Sequence, residues 1–343
     1  MANEIQAIRQ QFASAAATPA QKIDDAKANA IIADARRGGL TQSKAEELKR
    51  EVDAYRASLT PQAASVFTDF IQNKMKALEI MDPGTPKAKG EPAVVKTDQK
   101  RIGWQVVPGG KLFIHGASGS DVAQNYLGDC YLMAAMSAVA HTHPDVIEKA
   151  FVLKDDGTYD VTLYAEEGGK LVPHVVNIDA ELPRNGWYGY YYAGAKNPKE
   201  LWPALLEKAI AKWKGSYNAI QGGLPEDAMQ WLTGKKSIAV DLRKAGTTAD
   251  GTFATLDAAV KAGKPITAVT LSDKSAKKYA GTNIYTDHTY TVWGTSVENG
   301  VRYVHLRNPW GEGEPAGNGR DDGIFKIPLD QFMSLFCGIA ING

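Results

Sequence analysis

The stretch Gln124–Ala135, "QNYLGDCYLMAA", places Cys130 behind a Gly-Asp pair and at the head of a strongly apolar run. The chain has 343 residues and only two cysteines, the other being Cys337. A small buried position accepts Ala or Ser without loss, whereas a thiol nucleophile has no such substitute. Leu127–Ala140 reads as a closely packed helix, apolar with small residues, so the thiol stands at a helix's leading end. Unpaired N–H groups and the helix dipole favour a thiolate there. The plain alternative is a small buried hydrophobe, and that reading suits Cys337, apolar on both sides in "LFCGIAI".

Hydrophobic residues make up 44% of the chain, enough for one large or two ordinary domains. The 39 basic and 39 acidic residues cancel, which gives no reason to expect a nucleic-acid partner. Two distant cysteines make no disulfide framework and point to a reducing compartment. No C-x-x-C or Cys/His cluster suggests structural zinc. The amino terminus, "MANEIQAIRQQFASAAATPAQ", lacks the basic and apolar regions of a signal peptide, and no apolar run matches a membrane span. The expectation is a soluble, cytoplasmic protein with no membrane partner.

Residues 1–81 contain no Cys, His or Trp and are rich in helix formers. Start signals at Thr18-Pro19, Ser43 with Glu46, and Thr60-Pro61, and stops at Gly38-Gly39 and Asp82-Pro83-Gly84, predict three or four helices in a small all-α bundle. Residues 82–100, rich in Pro, Gly and Lys, read as a flexible linker. Residues 101–343 bring Trp and His and most of the Tyr. Helices are expected early, then strands at Ile266–Leu271, Thr289–Thr295 and Arg302–Arg307, an α+β arrangement. The tyrosines of "NGWYGYYY" are expected to pack in a strand or cleft wall rather than stack on carbohydrate.

Among six histidines, His288 opens the strand "DHTYTVWGT", and Asn308 ends the next strand in "LRNPWGEGE". Two neighbouring antiparallel strands bring such a pair together, with the amide orienting the imidazole. The expected set is Cys130 as nucleophile, His288 as base and Asn308 as orienting group. The Cys130 N–H and the Gln124 amide are the candidate oxyanion donors. Gln124 as a loop-bridging amide and Asn308 as a turn former are the structural alternatives.

"QNYLGDCYLMAA", "DHTYTVWG", "RNPWGEGE", "ELWPALLEKAIAKWKGSYNAIQGG" and "DDGIFKIPLDQF" resemble, in order, five segments of the calpain family of cysteine proteases. The resemblance runs from about Lys111 to the carboxyl terminus and leaves out the first 100 residues. It implies a papain-like fold of two lobes, about 101–222 and 223–343, hydrolysing peptides through an acyl-enzyme. Protein or peptide substrates would be the partners. The helical region, which the resemblance does not cover, is expected from the Lys-rich linker behind it to be a propeptide or regulatory cap packed on the core, or else a recognition module that brings a partner to the protease. The resemblance assigns Gly222, Gly223 and Trp310 to the substrate cleft, where bare backbone accepts an extended peptide. Tyr131 stands where the family usually has Trp.

The resemblance also implies Ca²⁺ sites. A first set matches Ile114, Gly116, Asp121 and Glu200; a second matches Glu314 and Asp322, with Asp321 nearby. Ile324 replaces a family Glu of the second set, and the family's Arg partner is replaced near Gly119. Asp121 reads equally well as a turn cap. No organic cofactor is implied. The competing functions are acyl transfer or deamidation by the same geometry, and a non-enzymatic scaffold.

Overall fold

The computed structural model describes residues 2–16, 22–36, 42–78, 90–185, 189–315 and 320–343. Four helices open the chain: α1 (Ala2–Ala15), α2 (Asp25–Arg36), α3 (Gln42–Ala54) and α4 (Pro61–Leu78). Ile8, Phe12, Ile31, Leu48 and Phe67 form their own core, with Phe12 and Phe67 stacked at 5.3 Å. Pro61 fits the first turn of α4, and the Thr60 hydroxyl accepts the Ala63 N–H at 3.1 Å, as the Thr-Pro signal predicts. The signals at Thr18-Pro19, Gly38-Gly39 and 82–84, and the side chains of Ser43 and Glu46, lie outside the described residues.

Part of the expected linker belongs to the core. Val94 and Val95 pack against the first large core, and the Val95 N–H donates to the Tyr192 hydroxyl at 2.9 Å. The Tyr217 N–H donates to the Ala93 carbonyl at 2.9 Å, and both tyrosines at 191 and 192 donate to Asp98. The Pro-Ala-Val-Val run carries apolar side chains that a free tether would leave in water.

The remaining elements form two further cores. One surrounds α5 (Cys130–Thr142), α6 (Pro144–Ala150), α7 (Trp202–Lys214) and α8 (Pro225–Thr233). Three small sheets flank them: β1 (Gly103–Gln105) with β6 (Leu182–Arg184); β2 (Val122–Ala123) with β7 (Gly194–Ala195); and β3 (Phe151–Leu153), β4 (Tyr159–Glu167) and β5 (Lys170–Ile178). Residues 131–140 of α5 are all buried, which explains a helix apolar on every face. α7 ends at Gly215, whose φ of +98° closes the helix in the left-handed conformation. Ala228, Met229 and Leu232 of α8 sit in this core, so the change of core falls after residue 233 rather than between 222 and 223.

The last core lies on a six-stranded antiparallel sheet of β8 (Ser237–Asp241), β9 (Ile266–Thr270), β10 (Thr289–Glu298), β11 (Val301–Arg307), β12 (Ile324–Pro328) and β13 (Phe336–Asn342). Its order is β12-β11-β10-β9-β13-β8, with helices α9 (Ala249–Lys261) and α10 (Leu329–Leu335) beside it. Asn299 and Gly300, at φ of +49° and +80°, make the two-residue turn between β10 and β11. Asn-Gly is the preferred pair for such a turn, and it fixes the hairpin register. A bulge between Val292 and Gly294 shifts the pairing by one residue, so that Thr291 meets Arg307 and the residue before β10 comes beside the residue after β11.

Candidate active site

The residue before β10 is His288, and the residue after β11 is Asn308. His288 Nε2 lies 3.0 Å from Asn308 Oδ1, and the Trp310 backbone N–H donates to that same oxygen at 3.2 Å. A backbone N–H can only donate, so the atom at Oδ1 is an acceptor. His288 must therefore carry its proton on Nε2, which leaves Nδ1 with a lone pair. Thr270 on β9 clamps the histidine backbone: its hydroxyl takes the His288 N–H at 3.0 Å, and its N–H donates to the His288 carbonyl at 2.9 Å. The Trp310 ring covers the imidazole at 4.9 Å.

Cys130 is the first residue of α5. It shares a cavity of about 420 Å³ with Gln124, His288 and Trp310. α5 is held to the sheet by the Thr291 hydroxyl, which donates to the Ala134 carbonyl at 2.8 Å. Burial pushes the Cys130 thiol up, against the pull of hydrogen bonds from Thr289. Burial also pushes the His288 imidazole down to about 4, and Asn308 offsets little of it. Both shifts favour a neutral thiol beside a neutral imidazole, not the stabilised thiolate that the helix terminus alone suggests.

Gln124 is buried, and its amide nitrogen donates to Leu127 O at 2.7 Å and approaches Asp129 Oδ1 at 3.4 Å. The Leu127 carbonyl needs a donor, which sets the amide's orientation. This is the loop-bridging arrangement. Asp129 in turn meets Glu207 of α7, both fully buried, and Glu207 accepts the Ala193 N–H at 3.1 Å through each oxygen. Asp129 Oδ2 receives no N–H or O–H from the described residues apart from this carboxyl neighbour. Burial raises Asp129 to about 7 and Glu207 well above the carboxylate range. Two buried carboxyls in contact cannot both ionise, so they share a proton, which Glu207 holds.

The other expected residues fall around this centre. Gly222, at φ +66°, donates its N–H to Gly128 O at 2.8 Å on the cavity wall. A Cβ on Gly223 would sit 2.5 Å from the Tyr131 ring, so the bare backbone lies directly on that aromatic face. Tyr191 and Tyr192 are buried, and Tyr126 stacks on Tyr191 at 4.9 Å. Among the described residues no other histidine lines the cavity. His141 stacks on Trp293, His305 contacts the Ser296 hydroxyl, and His174 faces Trp213. Cys337 lies on β13 with its thiol on Thr270 O, away from the cavity.

Residues 87–331 match the family described as calpain family cysteine protease. The chain belongs to the calpain family. It is 31% identical over 205 residues to a calpain-type cysteine protease of Arabidopsis thaliana, covering 58% of this chain and 9% of that protein. It is 29% identical over 269 residues to a thiol protease of Porphyromonas gingivalis, covering 64% and 54%. It is 27% identical over 292 residues to human calpain-14, covering 76% and 41%. The chain thus spans about half the length, or less, of these curated relatives. No helix among the described residues is long and apolar enough to cross a membrane.

The calpain-type metal sets differ from one another in structure. In the first, Glu200 Oε1 accepts the Ile114 N–H at 2.8 Å, and Asp121 Oδ2 accepts from Ser118 N and Trp202 Nε1. Burial and the charge of Asp121 push Glu200 up to about 7, and burial raises Asp121. Gly116 carries a φ of +90° in the loop between them, with Glu148 close by. In the second set, Glu314, Asp321 and Asp322 accept the N–H groups of Gly323, Gly313 and Ile324 respectively. Those carboxylates brace their own loop, and Ile324 offers no ligand. A separate acidic cluster, Glu91, Asp179 and Glu181, surrounds buried Lys208, whose Nζ lies 2.7 Å from Asp179 Oδ1 and 2.9 Å from Glu91 Oε2. That lysine already supplies the cation.

Sequence reasoning missed Arg307. It is fully buried, and it donates to Ser120 O at 3.0 Å and Val122 O at 2.6 Å while feeling Asp121 and Asp322. It joins the sheet to the loop that precedes Cys130. At Gly119 a Cβ would lie 2.9 Å from both His141 Cβ and the Trp293 ring, so no arginine fits there; Trp293 fills the space. A basic residue ending a strand beside the Asn308 segment was the available signal. The Asp129–Glu207 pair had none, because the two lie on separate elements.

Proposed function

We propose that this chain is a papain-like, two-lobed cysteine endopeptidase, in which α5 and the six-stranded sheet face each other across the cleft. The observation that carries the reading is the Asn308 oxygen, held by both His288 Nε2 and the Trp310 N–H, which leaves Nδ1 as the base in the cavity of Cys130. Nδ1 takes the thiol proton as sulfur attacks the peptide carbonyl, and the imidazolium then protonates the leaving amine. Asn308 keeps the ring in the required tautomer. The Cys130 N–H at the start of α5 points to the developing oxyanion; Gln124 joins it by exchanging Leu127 O for the substrate oxygen. Water then hydrolyses the acyl-enzyme.

Ca²⁺ suits the first carboxylate set and not the second. Asp121 and Glu200 are hard donors that repel each other, and the carbonyls of Ile114 and Gly116 would complete the shell. A cation there would relieve that repulsion and fix the loop leading to the nucleophile. Residues 1–81 act as a propeptide or regulatory cap; Phe70 of α4, which packs against both the bundle and the first core, supports this.

The test is casein and peptide hydrolysis by the parent and by Cys130→Ala, with chelator and with added Ca²⁺. Cleavage lost in Cys130→Ala, together with Cys130 labelling by a thiol-directed peptide epoxide, is the expected result. Amine incorporation without cleavage would replace peptidase by acyl transferase, and no labelling would leave a scaffold. Equal fragmentation of parent and Cys130→Ala would remove self-processing of the N-terminal region.

A further inference from the structure

The His288 side of the cleft has a chemical character that the peptidase reading does not require. Because His288 protonates the departing amine, the groups flanking it meet the residue that supplies the leaving nitrogen. Those groups are Tyr285, Asp287 and Trp310, all lining the cavity. Tyr285 is 40% exposed, yet its ring is fixed against Trp310 at 4.4 Å. Across the cavity Tyr126 is 76% exposed and fixed on Tyr191. Large aromatic rings held open to water, rather than folded inward, offer π faces to a ligand.

Asp287 is the one charged residue among those lining the cavity, with His288 neutral beside it. It is exposed, and one oxygen is anchored on the Asp273 N–H at 2.9 Å. Asp273 itself accepts from the Thr286 hydroxyl, so a second carboxylate stands behind the first. Neither acid has an ion-pair partner among the described residues. The backbone at Asp287 takes a φ of +46°, in the left-handed region that non-glycine residues enter at a cost. An aspartate held there, between two π-rich walls and without a cation, is arranged for a positive charge.

Resting on the peptidase reading above, we infer that this rim selects a lysine or arginine side chain on the leaving-group side of the scissile bond. The cation lies over the Tyr285 ring, and the Asp287 carboxylate takes its N–H donors. An exposed ion pair and a cation–π contact are each modest, so together they give a preference of about tenfold over an unbranched neutral side chain such as norleucine.

The test uses internally quenched peptides identical except for arginine, norleucine or glutamate immediately after the cleaved bond, measured as kcat/KM with cleavage positions read by mass spectrometry. The expected order is arginine, norleucine, glutamate, with arginine about tenfold above norleucine. Asp287→Asn, which tolerates the same backbone conformation, lowers the arginine-to-norleucine ratio to about threefold, and Tyr285→Leu lowers it comparably. The ratio is taken within one enzyme sample, so a partly unfolded variant does not distort it. Equal rates for the three peptides, or a ratio unmoved in Asp287→Asn, would overturn the inference and leave the peptidase reading standing. Cleavage of none of them would overturn both.

Discussion

Replacing Glu207 by glutamine tests the shared proton beneath Cys130. In the parent, burial holds Glu207 protonated far above the pH at which an unfolded glutamate ionises, near 4.5. Between that pH and its raised folded value, the folded state binds one proton more than the unfolded chain. Stability is therefore full at low pH and falls as pH rises, by about 1.4 kcal/mol per pH unit for one proton. That slope holds over whatever part of pH 5 to 7 Glu207 stays protonated in the fold, and Asp129, itself raised to about 7, acts in the same sense. Glutamine supplies the N–H that Asp129 Oδ2 needs and keeps an oxygen for the Ala193 N–H, without binding a titrating proton. His288 acts in the opposite sense, since its folded value is lowered to about 4 and its contribution is lost as pH falls below about 6.5; it is the same in both proteins and cancels. Urea unfolding at pH 5, 6 and 7, followed by tryptophan fluorescence in a Cys130→Ala background, should show the Glu207→Gln protein gaining stability relative to the parent as pH rises, at a slope approaching about 1.4 kcal/mol per pH unit for each proton no longer bound. Parallel stability curves for the two proteins would refute the shared proton.

Asn308→Ala should lower kcat/KM on the order of 100-fold while leaving the protein folded, because it frees the histidine tautomer; circular dichroism beside peptide hydrolysis checks this. The acid limb of the kcat/KM profile should fall near pH 4, since burial keeps His288 neutral, and so able to accept a proton, far below its ordinary range; a limb near 6.5 would contradict the buried imidazole. Arg307→Met should destabilise by about 3 kcal/mol, because it orphans the Ser120 and Val122 carbonyls in a closed interior; urea unfolding measures it. Millimolar Ca²⁺ should raise the Tm of the parent, and Glu200→Gln should abolish that rise, whereas Asp322→Asn should not; thermal scans with and without chelator decide.

The sequence by itself determined the local chemistry. An apolar run with cysteine at its head becomes α5 with Cys130 at its first position, because periodicity and burial act within one element. The Asn299-Gly300 turn fixes the start of the hairpin, since a two-residue loop permits one register, while the bulge between Val292 and Gly294 that sets the final pairing of His288 with Asn308 was left to the fold. Composition and signals such as Thr60-Pro61 predicted three or four amino-terminal helices, and four are present among the described residues. Tertiary structure alone decided what depends on distant segments. Val94 and Val95 read as linker until a core existed to receive them, and α8 read with the strands that follow it until its buried face joined the core around α5 and α7. The protonation states of Cys130, His288, Asp129 and Glu207 were likewise beyond the sequence. Each is set by how much water the surrounding fold removes, and desolvation is a property of packed neighbours, not of the order of residues in the chain.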